Sequence, residues 1–200
     1  VLHVDGVQGF MRLPFSLKKL GVQSYALSGH KIHGPKGVGA LVWQDGFRFR
    51  PQIVGGGQQD DLRSGTENTC GIAGLREGIR YIRRRTTQRI YVEEERLIRR
   101  LAARLNILPG LRVYYSDKND QSGVLSVVPE KMSCDALSER LGAAGIAVRS
   151  GLHCAPLAHD TAGTLQTGTV RLSVSPFNTP REIDRTADVI ENILKNSYKL

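Results

Sequence analysis

S-G-H-K-I-H-G-P-K-G-V-G-A-L, residues Ser28 to Leu41, sets Lys31 between two apolar runs. Tyr25, Ala26 and Leu27 precede the stretch, Val38 to Trp43 closes it, and glycines with Pro35 lie between. The pattern predicts a strand, a tight loop and a second strand, with the lysine carried on the turn. An amine attacks a carbonyl only in its neutral form, and an enclosed, partly desolvated turn favours that form and the Schiff base it makes. Taken alone, the same residues also fit a surface turn whose lysine points into water.

Working outward, Val1 to Val4 is an apolar run broken by His3, and it delivers Asp5 at its end with Gln8 three residues on. In an open α/β sheet ligands bind outside the carboxyl ends of strands, so neighbouring strands would bring Asp5, Gln8 and the Lys31 loop to one crevice. A Schiff-base lysine beside an aspartate has a chemical meaning. Pyridoxal phosphate needs a lysine for its aldehyde and an acid to keep its ring nitrogen protonated, because the pyridinium is the electron sink for carbanion chemistry. Gln8 is placed to donate to the ring hydroxyl.

H-V-D-G-V-Q at His3 to Gln8, S-G-H-K at Ser28 to Lys31, G-P-K-G-V-G-A-L, and L-R-S-G-T-E-N at Leu62 to Asn68 together resemble the class V aminotransferases, in their cysteine desulfurase and selenocysteine lyase branch. V-R-S-G-L-H-C-A at Val148 to Ala155 and G-T-V-R-L-S-V-S-P-F-N-T at Gly168 to Thr179 resemble the nucleophilic-cysteine loop and the carboxylate-binding arginine of that branch. The motifs keep the family's order and span nearly all of the chain. As a set they are specific, although each alone is only a hypothesis.

The resemblance implies the α/β type I fold of pyridoxal phosphate-dependent transferases. Residues 1–87 would be the C-terminal part of the cofactor-binding large domain and residues 88–200 a small α+β C-terminal domain. It implies Lys31 as the Schiff-base lysine, Asp5 as partner of the pyridinium, and Ser28 and His30 as phosphate ligands. Thr66 would reach the cofactor phosphate of a neighbouring subunit in a homodimer. Cys154 would be the nucleophile, Arg171 would hold the substrate carboxylate, and Arg149 and His153 would stand on the substrate side. The implied reaction removes sulfur from L-cysteine, leaving alanine and a persulfide on Cys154 for a sulfur-acceptor protein. A selenocysteine lyase, a C–S lyase, an aminotransferase or an inactive fragment are the other readings. Class V enzymes run to about twice this length, taking two-domain enzymes as typical in size. The portion ahead of Val1 would supply the first strands and the helix N-terminus at the cofactor phosphate, and the chain would then be a fragment, an incomplete record or one half of a split protein.

Composition narrows the alternatives. Two hundred residues at 40% hydrophobic content can build a sizeable core. No apolar run approaches the roughly 20 residues of a membrane span and no signal-peptide pattern opens the chain, so a cytoplasmic, membrane-free protein is expected. Cys70, Cys134 and Cys154 are odd in number and far apart, which suits reduced thiols better than disulfides or a metal site. Cys70 and Cys134 read as buried structural residues, whereas Cys154 sits in a loop near Arg149, His153 and His159, a setting for a reactive thiol. His30 and His33 alone lack the further ligands a metal requires.

The net charge of +9 raises nucleic acid as a partner. Its arginines from Arg80 to Arg104 are interleaved with Glu93, Glu94 and Glu95 on predicted helix, without aromatic interleaving, so a solvated face or a surface for an acidic protein fits better. Along the chain we expect a short helix at Leu13 to Leu20 and strands at Ser24 to Ser28 and Val38 to Trp43. A loose glycine-rich loop at Gln52 to Asp61 follows. Cys70 to Tyr81 and Tyr91 to Leu105 have helical periodicity, as one bent helix or two, with Ile72, Leu75, Ile79 and Ile82 on one face. Strands at Leu111 to Tyr115, Gly123 to Val128, Ile146 to Arg149 and Thr169 to Val174 alternate with helices at Ser133 to Ala144 and Pro180 to Leu194, in a β-α-β-like unit.

Overall fold

The computed structural model describes residues 1–13, 16–118 and 123–197. The chain divides into two compact units, Val1–Ile90 and Tyr91–Leu200.

The first unit is built on a three-stranded sheet in the order β1-β2-β3, comprising β1 (His3–Asp5), β2 (Ser24–Ser28) and β3 (Gly39–Trp43). β1 and β2 run parallel with Asp5 opposite Ala26, and β3 returns antiparallel to β2 with Ser28 opposite Gly39. The expected helix at Leu13 to Leu20 is confined to α1 (Leu17–Leu20), capped by Ser16, and part of the expected span lies outside the described residues. Helical periodicity from Cys70 onward resolves into two helices, α2 (Thr69–Arg85) and α3 (Thr87–Leu105). The break falls at Thr86, whose φ of 67° cannot continue a right-handed helix. Leu75 and Ile82 of α2 are buried, but Ile72 on the expected face is 46% exposed. Tyr25, Leu27, Ile32, Leu75, Ile82 and Ile90 form this unit's core.

The second unit carries a four-stranded sheet, β4 (Leu111–Tyr114), β5 (Val124–Pro129), β6 (Arg149–Gly151) and β7 (Thr169–Ser173), in the order β4-β5-β7-β6. Every pairing in it is antiparallel, which corrects the β-α-β expectation. The strand expected at Ile146 to Arg149 lies later, at β6, because backbone pairing to β7 begins only at Arg149. Helix α4 (Cys134–Ala143) starts where Ser133 Oγ accepts from the Ala136 amide at 3.1 Å, and Gly145 takes the left-handed φ of 76° beyond its end. A short helix, α5 (Pro156–Thr161), has no counterpart in the sequence reading. Helix α6 (Pro180–Ser197) begins with a capping box: Thr179 N donates to Glu182 Oε2 at 2.7 Å and Glu182 N to Thr179 Oγ1 at 3.3 Å. The Thr179 amide, and then its hydroxyl at 3.1 Å, donate to the Glu182 carboxylate and hold it below the usual carboxylate range. Leu97, Ile98, Leu101 and Leu105 of α3 pack with β5, β7, α4 and α6 in one apolar core. At its rim Arg100 makes a two-pronged pair with Asp184 at 2.7 Å and Arg104 meets Asp188 at 2.6 Å. Among the described residues no helix is long and apolar enough to cross a membrane.

Candidate functional site

In the first unit the carboxyl ends of the parallel strands β1 and β2 carry the two groups singled out first. Asp5 ends β1, and β2 runs through Ser28 into a single 3₁₀ turn, Gly29–Lys31. Asp5 is exposed and its Oδ1 accepts from the Val7 amide at 3.1 Å, fixing the carboxylate against the loop that follows. That loop is pinned by the Tyr25 hydroxyl, which donates to Gly6 O at 3.1 Å. A Cβ on Gly6 would fall 1.7 Å from the Tyr25 ring, so only glycine fits there. Burial, and then the Asp5 charge, raise the Tyr25 phenol. Gln8 lies exposed three residues beyond Asp5.

Lys31 is half-buried. The backbone after it rests directly on α2 through glycines: a Cβ on Gly78 would stand 2.5 Å from Ile32 O, and one on Gly74 would stand 2.7 Å from Pro35 Cδ. These two glycines were not singled out in the sequence, yet a helix interior pays about 1 kcal/mol for each glycine relative to alanine. Their i,i+4 spacing was the available signal of a close approach. Ser28 Oγ and His30 Nδ1 are 2.7 Å apart, which groups a hydroxyl and an imidazole immediately before Lys31. Thr66 is exposed, and its carbonyl accepts from Arg63 Nη1 at 3.4 Å within the turn that precedes α2.

The residues of this unit fit pyridoxal phosphate in kind. A half-buried lysine and a carboxylate stand at the ends of adjacent parallel strands, with hydroxyl and imidazole donors suited to a phosphate dianion beside the lysine.

In the second unit β6 and β7 pair so that Arg149 stands directly opposite Arg171. Two like charges facing each other across a ladder repel, and an anion between them relieves that cost. Arg149 is exposed, whereas Arg171 is half-buried with its Nε sealed from solvent and lacking a partner among the described residues. A carboxylate is the anion that a guanidinium accepts by two parallel bonds.

Beyond β6 the chain turns through His153 and Cys154 with φ of 52° and 65°, two consecutive non-glycine residues in the left-handed region. Ala155 N donates to Leu152 O at 2.9 Å and closes the turn. Pro156 then opens α5. Cys154 is exposed and Cys134 buried as expected, but Cys70 is exposed, against the expectation, because in the first turn of α2 it lies off the face that buries Gly71, Leu75, Gly78 and Ile82. His153 Nε2 lies 3.2 Å from Thr169 O and 3.1 Å from Thr169 Oγ1. Thr169 was missed in the sequence, since nothing local marks a threonine fifteen residues after the cysteine as its neighbour's partner. Burial, then Arg171, His159 and Arg149, push the His153 imidazole below the ordinary histidine value, against an opposing contribution from Thr169.

The sequence profile of the aminotransferase class-V family matches residues 1–186. A cysteine desulfurase of Sinorhizobium fredii is 33% identical over 207 residues, covering 98% of this chain and 53% of that protein. Cysteine desulfurase NifS of Azotobacter vinelandii is 33% identical over 198 residues, covering 92% of this chain and 48% of its own length. The chain thus spans about half the length of the curated relatives it matches. The apo cysteine desulfurase of Thermococcus onnurineus superposes with a TM-score of 0.90 at 30% identity, over 98% of this chain and 53% of the other. The architecture is therefore the α/β fold of the type I pyridoxal phosphate-dependent transferases. On a profile match that runs through both units, the chain belongs to the aminotransferase class-V family.

Proposed function

We propose that this chain carries the lysine, cysteine and carboxylate-binding parts of a pyridoxal phosphate-dependent cysteine desulfurase. The observation that carries the reading is the exposed Cys154 on its left-handed turn, directly beyond a strand whose Arg149 faces Arg171. The names of the relatives support the same reading.

Asp5, Gln8, Ser28, His30 and Lys31 would hold the cofactor, and Arg171 with Arg149 would hold the substrate carboxylate. Pyridoxal phosphate, when bound, supplies the electron sink for charge developing on substrate carbon. Lys31 moves the proton at Cα. Cys154, as thiolate, attacks the sulfur of L-cysteine: the new S–S bond forms as the carbon–sulfur bond breaks. The electron pair goes to substrate carbon, which is protonated to give alanine, and the persulfide stays on Cys154 for an acceptor protein. We further propose a cytoplasmic homodimer in which Thr66 of each subunit reaches the cofactor of the other, since two-fold dimers are the commonest closed assembly.

The test is mass spectrometry of the protein supplied with pyridoxal phosphate and L-cysteine. A sulfur atom gained on Cys154, together with alanine, is expected. Product formation undiminished in Cys154→Ala would point to another class V reaction.

A further inference from the structure

His153 flanks the proposed nucleophile, and the obvious role for an imidazole there is to touch substrate. Its hydrogen bonds argue otherwise. A carbonyl oxygen can only accept, whereas the Thr169 hydroxyl, 3.1 Å from the same nitrogen, can donate or accept, so the proton on Nε2 is the arrangement that satisfies both contacts. Nδ1 is then a bare lone pair, and it is sealed from solvent without a partner among the described residues. Protonating it would place a second N–H where nothing accepts it, near the guanidinium groups of Arg171 and Arg149 that already disfavour the cation. One nitrogen is committed and the other enclosed, so neither can exchange a proton with a substrate.

The turn itself needs a restraint. Consecutive left-handed φ values at His153 and Cys154 persist only where surrounding structure over-determines them. Thr169 is buried in β7, and its backbone is fixed by pairing with Gly151. On its other side the His153 ring lies 5.7 Å from the ring of His159, which is buried and bonded through Nδ1 to Thr164 Oγ1 at 2.8 Å. His153 therefore bridges the cysteine turn to the strand that bears Arg171.

We propose that His153 is a positioning residue: its Nε2–H tautomer, donating to Thr169, locks the left-handed turn that presents Cys154, and it does not bind substrate. The kinetic part of this inference rests on the desulfurase reading above, while the structural part does not.

Nitrogen-15 spectra of the 200-residue chain should show His153 as the Nε2–H tautomer at neutral pH. Amide exchange at Ala155 should accelerate about tenfold or more in His153→Leu and stay within about twofold in His153→Gln, whose amide nitrogen donates from a similar place, with the Leu172 amide unchanged in both. In the cofactor-loaded desulfurase, His153→Leu should lower kcat about tenfold with KM within about twofold, and His153→Gln should recover most of the loss. An Nδ1–H tautomer, unaltered Ala155 exchange in His153→Leu, or a raised KM with unchanged kcat overturns the proposal. The expected tautomer and exchange results in a protein without desulfurase activity would support the strut and remove the reading of Cys154.

Discussion

The two units solve the problem of burying a sheet to different extents. In residues 91–197, α3, α4 and α6 share one core with β4, β5 and β7, and Ile98, Leu105, Leu125, Val127, Leu137, Leu141, Val170 and Ile190 are fully enclosed. In residues 1–90, β3 is exposed along its whole length, with Leu41, Val42 and Trp43 each about 40% accessible. Charge divides in the same way. Residues 1–90 hold 14 Lys and Arg against 6 Asp and Glu, and residues 91–200 hold 14 against 13, so the first unit carries nearly all of the surplus. The difference is a separation of two kinds of support: the cysteine turn belongs to the unit with the enclosed core, and the loop after Lys31 lies against α2 through Gly74 and Gly78.

The largest expected effects test that separation chemically. Cys154→Ala should lower alanine formation from L-cysteine by about a thousandfold or more while leaving bound cofactor colour unchanged. Lys31→Ala should do the reverse to the covalent link, so that borohydride reduction no longer fixes cofactor to the chain. Label recovered on Lys36 in the parent protein would sink the assignment of the lysine.

The cores come next. Leu137→Ala, in the enclosed core of the second unit, should cost about 2–5 kcal/mol by urea unfolding. Leu41→Ala on β3 should cost under about 1 kcal/mol, because that side chain is already 41% exposed. A Leu41→Ala cost equal to that of Leu137→Ala would mean that something covers β3 in solution, and the contrast between the units would fail.

Much of this was legible in the sequence, and the exceptions share a cause. The Lys31 loop and the starts of α4 and α6 are local signals, written in residues that sit next to the feature they produce. Periodicity fixes a stripe but not its edges, so it puts Ile72 with the buried face, and the packing of α2 turns that residue outward. Ile146 and Val148 look strand-like and put the start of β6 three residues early, yet pairing to β7 decides where the ladder begins. For the candidate site, residue types and their order were readable. The Gly78–Ile32 approach, the Thr169–His153 bond and the facing Arg149–Arg171 pair are long-range contacts that no local pattern encodes.

A smaller pair of effects sharpens the comparison through glycine. Gly78→Ala places a Cβ 2.5 Å from the backbone oxygen of Ile32, one residue past Lys31, and backbone cannot swing aside as a side chain would. The expected cost is about 1–3 kcal/mol, with a displaced lysine turn visible as altered chemical shifts at Lys31. Gly142→Ala in α4 meets nothing within 4 Å and should stabilise the second unit by about 0.5–1 kcal/mol. A neutral Gly78→Ala would show that α2 does not support the loop.

The smallest effect is a pH dependence whose sign is the same in both units and whose origin differs. His153 in the second unit is held below the ordinary histidine value of 6.5 by burial first and then by Arg171. His33 in the first is lowered by burial and then by Arg12. In each case the unfolded chain binds a proton near 6.5 that the folded chain refuses. The stabilising contribution is therefore fully present above 6.5, declines as pH falls from there towards the folded value, and is gone below it. Trp43, the one tryptophan, reports unfolding of the first unit, and leucine methyl signals from the enclosed core report the second. Between about pH 7.5 and 5.5 both probes should shift to lower urea midpoints, and His153→Gln should flatten the slope of the methyl signals alone. An undiminished slope there would remove His153 as its source.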